Sequence, residues 1–215
     1  MDEYFYIKDI CRSGLIEYLE KAFSKISNIK DTKILDIGCG TGVPTLWLAD
    51  YFSGPITAID SDTESINFLS QKITKMNLSK RVRVLCTSFF EYTSDFEHYD
   101  IILAEGFLNV IGFESGFKLI IGLLKSNGYF IIHDEFKDHN KKCEFINDNN
   151  CEIINTFFLD ESVWWNNYYK QLEDEINRIG DFKIKELFKR DILEIEQYKT
   201  NPSLFKSMYY VLKKL

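Results

Sequence analysis

Three groups of residues in this chain have the types and spacing to do chemistry. The first is Asp36-Ile37-Gly38-Cys39-Gly40-Thr41-Gly42, an acid followed by glycines at alternate positions. Glycines so placed let backbone N–H groups and a helix N-terminus come close to a ligand, because no Cβ stands in the way. The second is Asp60, which closes the apolar run Ile56–Ile59. In a sheet of this kind an acid at the tip of the second strand accepts both hydroxyls of a ribose. The third is the set of carboxylates ending later apolar runs, Glu105 and the pair Asp134 and Glu135. A strand-tip carboxylate either holds a cationic ligand group or takes a proton. The G-x-G-x-G spacing differs from the G-x-G-x-x-G of dinucleotide-binding strands, so a nicotinamide oxidoreductase is the weaker reading.

The elements around these residues follow from periodicity. Lys33–Ile37 has the length and content of a buried parallel strand. Val43, Leu46, Trp47 and Tyr51 recur at helical spacing up to Phe52, and Pro44 suits a first helical turn. Ser61 and Glu64 have capping-box spacing ahead of a helix through Ile66, Leu69, Ile73 and Met76. Val82–Cys86 and Tyr99–Ala104 read as the third and fourth strands. Helices are expected over 113–124 and 138–147. Ser126-Asn127-Gly128 reads as a turn before a fifth strand, Tyr129–His133, and Cys151–Leu159 as the sixth. Residues 160–205 read as a mostly helical insertion, and 206–213 as the last strand. Residues 1–30 form a helical extension from about Lys8, with apolar positions Ile7, Ile10, Leu15, Leu19, Ala22, Phe23 and Ile26. The leading Tyr4-Phe5-Tyr6 either packs on the core edge or covers a ligand. Alternating strands and helices predict a doubly wound α/β sheet.

Composition sets the class. The chain has 215 residues, 45% hydrophobic and 27% charged, the profile of one globular domain with additions. A formal charge of −7 argues against a polyanionic partner such as nucleic acid, and Lys183, Lys185, Lys189 and Arg190 alternate with acids. Five cysteines without a C-x-x-C pair fit reduced thiols, and with no apolar leader they point to the cytoplasm. The apolar stretch Ile101–Leu124 is broken by Glu105, Glu114 and Lys118, so no membrane span is expected. His98 and His139 lack a partner at ligand spacing, and no metal is expected; His133 reads as a hydrogen-bonded strand histidine.

The acid-x-G-x-G-x-G run at 36–42, followed by Asp60, resembles the first two motifs of class I S-adenosylmethionine-dependent methyltransferases. That resemblance implies a Rossmann-like, seven-stranded, mostly parallel sheet in the order 3-2-1-4-5-7-6 with strand seven antiparallel. It implies S-adenosylmethionine as cofactor and S-adenosylhomocysteine as product. The expected cofactor residues are Asp36, Gly38, Cys39, Gly40, Thr41, Gly42, Asp60, Ser61, Ser88, Phe89 and Glu105. Ser88 would meet the adenine edge and Phe89 its face, although many relatives carry an Asp there. Glu105-Gly106-x-x-Asn109-x-Ile111-Gly112-Phe113-Glu114 further resembles a bacterial small-molecule group, from which Ala104, Phe107, Leu108 and Val110 depart. The resulting expectation is a single domain: extension 1–30, cofactor core 31–159, insertion 160–205 and last strand 206–215. A small-molecule methyl acceptor would meet Trp164 and Tyr168 as one aromatic wall, with Glu135 nearby. Glu105 and Asp134 are the candidate catalytic groups. The chain would act as a monomer or homodimer. A nucleic-acid or protein methyltransferase and a non-catalytic cofactor-binding module remain alternatives.

Overall fold

A computed structural model describes residues 1–26 and 31–215. The last four residues of the expected helical extension, Ser27, Asn28, Ile29 and Lys30, lie outside the described residues. The chain opens with α1 (Asp2–Arg12), a 3-10 turn (Ser13–Leu15) and α2 (Ile16–Phe23). Helix α1 therefore starts at residue 2 rather than near Lys8. Asp2 and Glu3 sit in its first turn, where acids favour the positive end of the helix dipole, and Phe5 is buried. The core follows as β1 (Ile34–Ile37), α3 (Val43–Tyr51), β2 (Ile56–Asp60), α4 (Thr63–Lys75), β3 (Val82–Cys86) and β4 (Tyr99–Glu105). Then come α5 (Leu108–Ile111), α6 (Phe113–Leu123), β5 (Leu124–Glu135), α7 (His139–Asp148) and β6 (Cys151–Leu159). The insertion holds α8 (Glu161–Trp164), a π-helical turn (Trp165–Tyr169), α9 (Lys170–Arg178), α10 (Phe182–Leu187), α11 (Lys189–Thr200) and a 3-10 turn (Pro202–Phe205), before β7 (Ser207–Lys214).

The sheet order is β3-β2-β1-β4-β5-β7-β6. Strand β7 runs antiparallel to β5 and β6, and the other pairs are parallel. Two local expectations are corrected. Helix α4 is capped by Asp62, whose carboxylate accepts from the Ser65 amide at 3.1 Å, and not by a Ser61–Glu64 box. The two candidate caps are adjacent, and the ionised oxygen is the stronger acceptor at a helix N-terminus. Strand β5 pairs earlier than expected: Leu124 lies opposite Tyr99, then the chain swings out through 125–128 and rejoins with Tyr129 opposite Ile101. Asn127, at φ 63°, makes that excursion.

The sheet's alternation creates two cores. Helices α2, α3 and α4 cover one face, packing Leu19, Phe23, Leu48 and Leu69 on Ile34, Leu103 and Ile131. Helices α5, α6 and α7 cover the other, where Leu108, Phe117, Ile120 and Ile146 meet Leu35, Ile102, Phe130 and Ile132. A fully buried Phe117 contributes about 1.5–3 kcal/mol relative to exposure. A third cluster joins α1 to the insertion through Cys11, Leu15, Tyr168, Tyr169, Leu172, Phe188 and Ile195. Extension and insertion thus form one cap above the strand tips.

Candidate active site

The glycine turn is held by its neighbour strand. Gly38 and Cys39 donate to the Ile59 carbonyl at 2.9 and 3.1 Å, and Gly42 donates to the Cys39 carbonyl at 2.8 Å. Gly40 donates to Asp60 Oδ2 at 2.8 Å, while Asp62 N–H donates to Asp60 Oδ1 at 2.9 Å. Gly42 has φ 83°, and a Cβ there would stand 2.2 Å from Leu69 Cδ1, so the turn and α4 require glycine. Gly40 has φ 51° and a Cβ there would meet nothing within 4 Å. Its open side faces a cavity of about 520 Å³, as a backbone cradle for a ligand requires.

Asp36 lies beneath this turn, 2% exposed, and accepts from Thr45 Oγ1 at 2.5 Å. Burial raises its carboxyl to about 7, opposed by the Thr45 hydrogen bond and aided by Glu105 and Asp60. The folded chain thus keeps a proton that the unfolded chain releases near 3.8. Raising the pH between those values favours unfolding. In the ligand-free protein, Asp36→Asn should flatten that decline, seen as urea midpoints that change less across the window than the wild type's.

Helix α1 walls the same cavity with Tyr4, Phe5, Lys8, Asp9 and Arg12. Asp9 accepts from Thr41 Oγ1 at 2.5 Å and pairs with Lys72, and Lys8 pairs with the buried Asp191 of α11 at 2.8 Å. Of the leading aromatics, Tyr4 and Phe5 therefore line the ligand space as well as packing, Tyr4 edge-on to Phe188, while Tyr6 is exposed. A second cavity of about 400 Å³ adjoins at Gly38, lined by Asp60, Ser61, Ser88, Phe89 and Phe107 among others. Phe89 is wedged edge-on against Phe107, with centroids 5.6 Å apart, while Phe90 is 65% exposed and is no core residue. Ser88 Oγ accepts from the Phe90 amide at 3.3 Å.

Register brings the remaining groups together. Glu105 pairs with His133, His133 with Tyr209 and Tyr209 with Phe157, so these four side chains share one face of the sheet. Tyr209 donates its hydroxyl proton to Glu105 Oε1, and Arg12 Nη2 lies 3.4 Å from Oε2. Burial, then the Glu105 charge, raises the Tyr209 phenol well above its usual value, which keeps it a donor. His133 lies flat on Tyr209 at 4.3 Å, and its Nε2 is 2.9 Å from Ser207 Oγ. Burial, helped by Arg12, lowers it to about 3, so the imidazole is neutral.

A third cavity of about 770 Å³ opens beyond Gly106 and Arg12. Its walls include His133, Trp164, Tyr169, Phe136, Phe205 and Ser207. Trp164 donates to Ser207 Oγ at 3.2 Å and stacks 5.7 Å from His133. Trp164 and Tyr168 do not form one wall: Trp164 faces this third cavity and Tyr168 the first. A π-helical turn follows Trp164, and the two rings keep an edge-on contact at 6.3 Å while bordering different cavities. Asp134 also departs from expectation as a free base. Period-two alternation sends it to the opposite face from Glu105, where Lys142 of α7 pairs with it at 2.6 Å. Glu135 is exposed at the rim.

Arg12, Tyr209, Ser207 and Lys142 were not singled out from sequence. Arg12 had one visible signal: Tyr4, Lys8 and Arg12 recur every four residues, on the helix face that proves to line the cavity. The others became recognisable only with register.

A glycine bend under a strand-tip acid, on a sheet of order 3-2-1-4-5-7-6, defines a class I S-adenosylmethionine-dependent methyltransferase. Residues 28–176 match the family model described as a methyltransferase domain, and the chain belongs to that family. Ribosomal RNA small subunit methyltransferase G of Mycoplasma capricolum subsp. capricolum is similar, 30% identical over 173 residues, 75% of this chain and 71% of that one. The crystal structure of the cyclase SpnF shares the fold at a TM-score of 0.78 and 15% identity, covering 92% of this chain and 80% of that one. A methyltransferase of Thiobacillus denitrificans with bound S-adenosylhomocysteine does so at 0.65 and 16% identity, covering 92% and 89%. Among the described residues no helix is long and apolar enough to cross a membrane.

Proposed function

We propose that this enzyme transfers the methyl group of S-adenosylmethionine to a small-molecule acceptor held under the helical cap. The observation that carries this reading is the third cavity. At about 770 Å³ it has the size of a small-ligand site, and aromatic side chains of the insertion close over it. It adjoins the cofactor side at Gly106 and Arg12. When bound, the cofactor supplies an activated methyl on a cationic sulfur. The chain's own residues bind and align. Asp60 takes the ribose hydroxyls, and Asp36, Gly38, Cys39, Gly40, Thr41 and Gly42 form the bend beneath the ligand. Ser61, Ser88 and Phe89 border the adenine, and Glu105 takes the amino group of the methionine end. Trp164 walls the acceptor and Tyr168 the cofactor, while Glu135 meets the acceptor from the rim. Asp134 serves by fixing Lys142 and α7 rather than by moving a proton. Alignment of nucleophile and methyl in a dry aromatic pocket supplies the acceleration.

One chain encloses all three cavities, so a monomer suffices and a homodimer is compatible. Five unpaired thiols suit a cytoplasmic enzyme. A second reading, methylation of ribosomal RNA, is favoured by the Mycoplasma capricolum relative. The net charge of −7 weighs against it. Incubation with methyl-labelled S-adenosylmethionine and separate pools of metabolites, tRNA and ribosomal subunits tests both. Label is expected in the low-molecular-weight fraction; label confined to RNA would replace this reading with the second.

A further inference from the structure

We infer that the methyl acceptor carries a carboxylate, received by Arg12 at the join between the cofactor cavity and the third cavity. This deepens the small-molecule reading and rests on it. Arg12 lines both spaces. Its guanidinium lies over the Trp164 ring, 5.6 Å from the centroid. Its one side-chain hydrogen bond among the described residues is the 3.4 Å contact from Nη2 to Glu105, so its other N–H donors are free. A planar guanidinium with free donors at the neck of a cavity is matched by a planar carboxylate, which accepts two parallel hydrogen bonds.

The other charges of the third cavity are otherwise engaged or peripheral. Asp134 is paired with Lys142 through Oδ2, its buried Oδ1 having no partner among the described residues, Glu194 accepts from Tyr169 at 2.6 Å, and Lys206 lies 3.9 Å from Glu161. Glu135 and Lys137 are exposed at the rim. Arg12 is thus the cation at the neck, beside the neutral donors and acceptors His133 and Ser207. A single guanidinium already facing one carboxylate suits a singly charged group; a dianion would crowd two more negative charges against Glu105. The aromatic walls, Trp164, Tyr169, Phe136 and Phe205, suit an apolar body behind the carboxylate.

The test compares acids with their own amides. Phenylacetate, indole-3-acetate and octanoate, each beside its primary amide, are titrated by calorimetry into the protein saturated with S-adenosylhomocysteine. At least one acid should bind tenfold or more tightly than its amide. That preference should fall below threefold in Arg12→Gln and be partly kept in Arg12→Lys, which retains the charge without the fork. Equal binding of every acid and amide by the wild type, absence of binding by every acid, or an undiminished preference in Arg12→Gln would each overturn the proposal. Failure of the methyltransferase reading registers separately, as no binding of S-adenosylhomocysteine in the preceding step. Failure of the small-molecule reading registers as label confined to RNA.

Discussion

Asp60→Ala should lower the affinity for S-adenosylhomocysteine about 10³-fold while the protein remains folded. Two charge-assisted hydrogen bonds to the ribose, at roughly 1.5–3 kcal/mol each, account for about 4 kcal/mol. The side chain has the capacity for them. Each carboxylate oxygen already accepts one backbone N–H, from Gly40 at 2.8 Å and Asp62 at 2.9 Å. An ionised carboxylate offers further lone pairs on both oxygens. The same two contacts mean that alanine also frees the glycine bend, so binding loses its hydrogen bonds and its preorganised cradle together. Asp60→Asn keeps one acceptor oxygen and should fall between. Calorimetry with S-adenosylhomocysteine measures the loss, and a thermal melt without ligand checks folding. An alanine variant that is folded and binds within threefold of the wild type would remove the ribose from this strand tip. The same protein gives the control ligand for the second prediction: 5′-methylthioadenosine keeps the adenine and ribose and lacks the amino-acid end. Asp60→Ala should weaken its binding by the same factor as it weakens that of S-adenosylhomocysteine.

The parts of the site legible in the sequence were those encoded by contiguous residues. The bend at 36–42 is one: glycines at Gly38, Gly40 and Gly42 all adopt positive φ, and only local chemistry is needed to see it. Strand existence was equally plain, and the order came from resemblance. What sequence could not carry was anything set by register. Asp134 and Glu105 look alike as acids ending apolar runs. Glu105 is opposite His133, which puts residue 134 on the reverse face beside Met208. One residue of offset turned a candidate base into an ion-pair partner of Lys142. The helix cap slipped by a similar margin, from Ser61 to Asp62, because two acceptable caps are neighbours. Trp164 and Tyr168, four apart, do touch edge-on as helical spacing suggests, but they border different cavities, and spacing along one helix does not show where two cavities divide. Arg12 was hidden for another reason. A lone arginine in a helix with Lys8 and Asp9 looks like a solvated face until the cap closes over it.

Glu105→Gln should separate the two roles that a strand-tip acid at this point allows. Glu105 lines the cofactor cavity, and its oxygens are held by Tyr209 and Arg12. Both partners donate, so the arrangement is built to keep an anion in place and leaves it suited to a cationic amine. The amine role predicts a loss of about 10²-fold in affinity for S-adenosylhomocysteine, near 2.7 kcal/mol, within the range for one charge-assisted hydrogen bond. Affinity for 5′-methylthioadenosine should change less than threefold, because that ligand never reaches Glu105. A base role predicts the reverse: unchanged affinity for both ligands and a lower turnover once an acceptor is in hand. The substitution also leaves Arg12 facing an uncharged amide, so some loss of stability is expected and is read independently as a lower melting temperature. The contrast between the two ligands is insensitive to that loss, since both bind the same folded protein. Together with Asp60→Ala, which should weaken both ligands alike, it assigns one carboxylate to the sugar and the other to the amino end, so that only Glu105 acts where the cofactor side joins the acceptor side through Arg12.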